Sequence, residues 1–242
     1  MVARTVVALN RRRALLAAIA LPAGCAIQPL ASLQSTAIPA PTGPVTLRAP
    51  LVGQAWTYRK LNFFNSSLLD VVQETVASAA SAIDVNRQGQ ASGALADEKH
   101  AAWGQLLRDP VWDYPMTFEA PVPLWPASLM VGANTTVNTH YRIDGGSFRF
   151  WIQVYSVVRG WERVTVGAGT FDTVRVERLI RLNHQDHTRA HTLRRDTMWL
   201  SLEVGRWVAR DTSGEYSSMG GSRMLRDDAR EDHFRWELTN WR

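Results

Sequence analysis

The sequence predicts a mostly β protein. The expected form is an antiparallel curved sheet, or a partly open β-barrel or sandwich, behind an N-terminal export label and a proline-rich tether. Three observations predict it. Apolar residues recur at every second position in several stretches. Glycine-containing turn signals separate those stretches. The one segment with any helical pattern, Leu95 to Leu107, is interrupted by Gly104.

Residues 1–24 have the order of a secretory signal. Arg4 and Arg11-Arg12-Arg13 give a positive start, with no acid before Cys25. Ala14 to Leu21 is apolar, and Pro22, Ala23 and Gly24 then open the chain to a peptidase. The apolar run is shorter than the roughly 20 residues of a membrane-spanning helix. Ala23-Gly24-Cys25 after this run resembles a bacterial lipobox, with Pro22 where leucine is usual. The resemblance implies cleavage before Cys25, a thioether from Cys25 to diacylglycerol, and acylation of the new amino terminus, with palmitate as the expected chain. It also explains a lone cysteine in an exported chain. By the same resemblance, Ala26 implies the outer membrane, facing the periplasm. Arg12-Arg13-Ala14-Leu15-Leu16 resembles a twin-arginine signal too, so the export route stays open.

The label carries most of the charge. The chain has 27 Lys+Arg against 22 Asp+Glu, and four of the arginines precede Cys25, leaving 23 against 22. A near-neutral mature chain gives no concentrated basic patch and argues against nucleic acid. Residues 25–50 hold Pro29, Pro39, Pro41, Pro44 and Pro50 without an apolar period. They read as an extended tether of up to roughly 80 Å at about 3.3 Å per residue.

Residues 51–242 form the expected β domain, stabilised by packing without a disulfide. Three apolar-glycine corners, Val52-Gly53, Val131-Gly132 and Val204-Gly205, each precede an extended segment. Phe148, Phe150, Ile152, Val154 and Val158 mark one face of a strand. Val174, Val176, Ile180 and Leu182 mark another, interrupted by Arg178. Phe234, Trp236 and Leu238 mark a third. Gly145-Gly146, Arg159-Gly160 and Asn183 to His187 read as hairpin turns.

Val166 to Val176, with its Gly167–Gly169 turn and Thr-Phe strand start, resembles uncharacterised periplasmic β domains of bacterial lipoproteins. Trp199 to Val208 is similar to a later strand-turn-strand of those domains. The likeness spans about Leu129 to Tyr216. It implies an antiparallel, curved, partly open sheet or barrel and no catalytic motif.

Candidates for chemistry are few. His184, His187 and His191 in NHQDHTRAH have ligand types for zinc, but His187 and His191 lie about 13 Å apart on an extended strand. Gly-x-Ser-x-Gly is absent. The acidic stretch Asp227-Asp228 and Glu231-Asp232 interleaves with arginines and reads as a solvated loop or a short salt-bridged helix. No cofactor or metal is expected. The ten tryptophans read as core by default, since each buries a large area, but an excess on a curved sheet also suits an apolar groove, with Trp151 and Trp236 as candidate ligand-binding residues. The expected function is a non-catalytic envelope lipoprotein that is membrane-anchored through Cys25 and binds a protein partner or apolar ligand on a sheet face. The alternative is a metal-assisted hydrolase built on the three histidines.

Overall fold

Side chains that alternate between buried and exposed make each segment an edge-seeking strand, and the edges satisfy one another by closing into a barrel. The computed structural model describes residues 30–43, 45–218 and 228–242, and every regular element among them is a β-strand. The strands are β1 (Gln34–Ile38), β2 (Ala55–Asn62), β3 (Leu68–Ala79), β4 (Ile83–Gly89), β5 (Gly93–Ala102), β6 (Gln105–Asp109) and β7 (Met116–Pro123). They continue with β8 (Asn134–Ile143), β9 (Phe150–Val166), β10 (Gly169–Leu182), β11 (Arg189–Ser201), β12 (Arg206–Ser218), β13 (Asp228–Arg230) and β14 (Phe234–Trp241).

Consecutive strands from β2 to β12 pair antiparallel, β14 inserts between β12 and β2, and the β8–β9 pairing completes the ring. The result is a closed 12-strand antiparallel barrel with β1 and β13 as additions. Strand β1 pairs with the far end of β9 at Trp161 to Thr165, beyond the point where β8 stops. Because neighbours alternate in direction, the connections at 63–67, 90–92, 110–115, 144–149 and 183–188, the last residues of β12 and the first of β14 all lie at one end, called here the mouth.

The three apolar-glycine corners are left-handed turns that start β2, β8 and β12, with φ of 84° at Gly53, 86° at Gly132 and 74° at Gly205. Arg159-Gly160 is not a turn. Strand β9 runs through it, and the register passes from Gly160 opposite Arg175 to Val158 opposite Val176, leaving Arg159 as a bulge. Leu95 to Leu107 is not helical either. It forms β5 and β6, joined at Gly104 with φ of 83°. Glu98 and His100 alternate inward there, so the strand period is carried by polar residues that a search for apolar periodicity passes over.

The expected signal residues and Cys25 lie outside the described residues. Part of the expected tether lies along the barrel instead of extending from it. Besides β1, the Leu30 amide donates to the Phe63 carbonyl, and the Arg48 amide donates to the Leu202 carbonyl. Leu33, Ile38, Val45 and Leu47 pack against the core, so this stretch is docked.

The barrel interior is apolar in part only. Trp56, Tyr58, Val72, Leu106, Ile152, Val174, Met198 and Leu238 belong to one contiguous core. Two buried ion clusters lie among them. Arg206 donates to Glu98 at 2.9 and 3.1 Å and to Glu74 at 2.7 Å, while Arg87 holds the other Glu74 oxygen at 3.0 Å. Arg178 and Arg210 both donate to Asp196. Arg178, which breaks the apolar alternation of β10, therefore points into the barrel and meets its partner on β11.

Candidate functional site

Inward positions near the mouth end of β2, β11, β12 and β14 bring Lys60, Arg194, Tyr216 and Phe234 around one opening. The loop 110–115 crosses it, bringing Val111, Trp112 and Asp113. Asp109 anchors this loop by accepting from the Val111 amide at 3.0 Å, and Val111 is buried. Two cavities flank Trp112. One, about 420 Å³, is lined by Lys60, Trp112, Arg189, Arg194, Tyr216, Glu231 and Phe234 among others. The second, about 390 Å³, is lined by Asp70, Val72, Arg87, Leu95, Pro115 and Trp236. Lys60, Val111, Trp112 and Asp113 border both cavities.

The guanidinium groups of Arg194, Arg189 and Arg87 are matched to carboxylates, whereas the exposed Arg230 lines the first cavity with no ion pair among the described residues. Arg194 donates to Glu231 at 2.7 and 2.9 Å and to Asp113 at 2.7 Å, with its guanidinium 4.6 Å from the Trp112 ring centre. Arg189 donates to Glu231 at 3.1 Å and lies 4.6 Å from the Tyr216 ring centre. Arg87 is paired with Glu74. Burial pushes the Asp113 carboxyl up, but the His184 hydrogen bond and the Arg194 charge outweigh it and hold its pKa at about 2. Asp70 accepts from the amides of Val71, Ala91 and Ser92 and from the Ser92 hydroxyl.

Lys60 differs. No carboxylate oxygen of a described residue lies within ion-pair distance of its ammonium. Its neighbours are rings, with Phe234 at 4.0 Å and Trp236 at 5.2 Å from Nζ to the ring centres. Burial lowers its pKa from the ordinary lysine value, the Arg87 charge adds to this, and Asp232 and Asp70 oppose it.

Trp236 is buried and lines the second cavity. Trp151 is half-buried on β9, opposite His140 on β8. Trp151 lines neither of the two mouth cavities. The histidines also separate. His184 turns inward, 4% exposed, with Nε2 3.0 Å from Asp113 and Nδ1 accepting from the Asp186 amide at 3.0 Å. His187 and His191 are exposed. Among the described residues, the group with metal-ligand proximity is Asp113, His184 and Glu231, whose ligand atoms lie within 4.8 Å of one another. Arg194 already bridges both of those carboxylates, so a cation would have to displace a buried guanidinium.

Sequence reasoning missed Lys60, Trp112, Asp113, Arg194 and Glu231. They come from strands and loops far apart in the chain, and Glu231 sits in the stretch that reads as a solvated acidic loop. The usable signal was Arg194 at an inward parity on β11, two positions before Asp196.

No protein-family model matches the chain, and no curated protein matches it. Two solved structures resemble it. One, described as a candidate exported protein with a YmcC-like fold from Bacteroides fragilis NCTC 9343, is 12% identical with a TM-score of 0.50, over 82% of this chain and 100% of its own. The other, described as a candidate lipoprotein from Parabacteroides distasonis ATCC 8503, is 13% identical with a TM-score of 0.50, over 83% of this chain and 100% of its own. At these identities the likeness is one of fold.

Proposed function

We propose that the protein is an envelope lipoprotein, anchored by lipid on Cys25 in the outer membrane facing the periplasm, and that its barrel mouth binds an apolar ligand without catalysis. The observation that carries the binding half is the pair of cavities around Trp112, walled by Phe234, Trp236 and Tyr216 and crossed by one loop. The anchoring half rests on the lipobox-like Ala23-Gly24-Cys25, and it agrees with the descriptions given to the two proteins of similar fold. The arginines locked onto Asp113 and Glu231 favour binding over metal-assisted hydrolysis, because both carboxylates are already engaged. Trp236 keeps its candidate role as a ligand-facing ring.

The anchor is tested by fractionating cells that make the wild type and Cys25→Ser. Two or more acyl chains give stable membrane attachment, at about 0.8 kcal/mol per buried methylene. The variant is expected to leave the membrane fraction. A variant that stays with the membrane with residues 1–24 uncleaved refutes the anchor. Binding is tested by native mass spectrometry after mild detergent extraction, where an adduct that disappears in Trp112→Ala is the expected result.

A further inference from the structure

The two mouth cavities meet at an ammonium group that has no carboxylate partner among the described residues. Lys60 borders both cavities and projects from β2 between Phe234 and Trp236. Around it most charges are engaged, while Arg230 and Asp232, which also line the first cavity, form no ion pair among the described residues. Arg194 and Arg189 hold Glu231 and Asp113, Arg87 holds Glu74, and the Asp70 carboxylate is occupied by three amides and a hydroxyl. Asp232 and Asp70 act on Lys60 only through space and form no ion pair with it. A half-buried ammonium held against aromatic faces is poorly solvated, and an arriving anion recovers that loss by direct, charge-assisted hydrogen bonding. Two further donors beside the cavities, the indole N–H groups of Trp112 and Trp236, are buried with no acceptor among the described residues.

We propose that the ligand of the barrel mouth is an amphiphilic anion. One acidic headgroup, a carboxylate, sulfonate or phosphate, sits on the Lys60 ammonium, and an apolar or aromatic body lies against Trp112, Phe234 and Trp236. The inference rests on the reading of the mouth as a binding site and adds the charge of the ligand. It also gives Lys60 a specific role. The residue supplies charge and hydrogen bonds to the headgroup, while the rings supply contact area. A cation would meet the Lys60 ammonium, offset only in part by Asp232 and Asp70, and a neutral ligand would leave that ammonium as poorly solvated as before.

The test uses a matched pair of fluorescent probes. 8-Anilinonaphthalene-1-sulfonate carries the acid, and N-phenyl-1-naphthylamine has the same aromatic body without it. The full chain bearing Cys25→Ser, made without export so that no acyl chain is attached, is titrated with each probe in detergent-free buffer. One sulfonate is expected to bind per chain, more tightly than the neutral probe by about tenfold or more. Lys60→Met is expected to remove that advantage while leaving the neutral probe's affinity unchanged, and Lys60→Arg to keep most of it. Lys60→Gln, with a circular dichroism spectrum matching the parent, covers the case in which methionine disturbs the fold. If the two probes bind equally well and folded Lys60→Met and Lys60→Gln bind the sulfonate as the parent does, the anion inference falls and the binding site stands. If neither probe binds the parent, the reading of the mouth as a ligand site falls with it.

Discussion

Removing the charge of Arg206 is expected to cost the protein a large share of its stability. The guanidinium is fully buried, bonds Glu98 and Glu74, and lies 5.1 Å from the Trp56 ring centre and 5.4 Å from those of Trp103 and Trp207. Burial raises the Glu98 pKa, but Arg206 and the bond to His100 overcome it, and the carboxyl sits well below its usual range. Arg206→Met keeps the length and apolar contact of the side chain and deletes the charge. Glu74 then retains Arg87, whereas Glu98 is left with His100 alone. Breaking a buried pair while leaving one charge behind costs about 3–5 kcal/mol. Against a typical domain stability of roughly 5–15 kcal/mol, that is a third or more of the total in most cases. In a chain of this size it corresponds to a fall in Tm of roughly 6–20 °C. The assay is urea unfolding followed by tryptophan fluorescence and circular dichroism. The deficit against wild type is expected at pH 7 and should shrink as pH falls. In the variant the desolvated Glu98 carboxyl has a raised pKa and takes a proton, which relieves it. In the wild type the lowered pKa makes acid destabilising instead. A deficit below about 1 kcal/mol at pH 7 would refute the view that this cluster is a tightly coupled unit.

Two other perturbations follow from local geometry. Gly104→Ala is expected to destabilise by about 2–4 kcal/mol, because an alanine there takes a left-handed backbone and its Cβ would meet the Trp125 ring; the relevant values are a φ of 83° and a separation of 2.5 Å. A urea midpoint unchanged within error would overturn that. Asp113, held at about 2 against an ordinary 3.8, contributes stability that is fully present above about pH 4 and is lost as pH falls toward 2. Discounted for its exposure, the loss is about 1 kcal/mol, and Asp113→Asn should flatten the wild-type decline in unfolding midpoint between pH 5 and pH 2. An equally steep decline in the variant would assign the acid sensitivity to other groups.

What the sequence determined by itself was local. Period-two alternation with glycine punctuation specifies strands and turns, since a strand's two faces and a left-handed corner are decided within a few residues. The three apolar-glycine corners and the β class were therefore readable, and the strand faces around Val174 and Trp236 lie as the alternation implies. The reading failed where a buried position is polar. Glu98 and His100 hid the alternation of β5, and Arg178 looked like an interruption of β10. A charge can point inward only if a partner awaits it, and those partners, Arg206 on β12 and Asp196 on β11, are chosen by strand order and register. Tertiary structure alone decided that twelve strands close, that residues 30–43 and 45–50 dock, and that Lys60 faces cavities in which Asp70, Asp113 and Glu231 are already engaged. Closure satisfies backbone groups between strands that are distant in the chain, such as β8 with β9 and β14 with β2, and no local pattern of residues encodes which edges will meet.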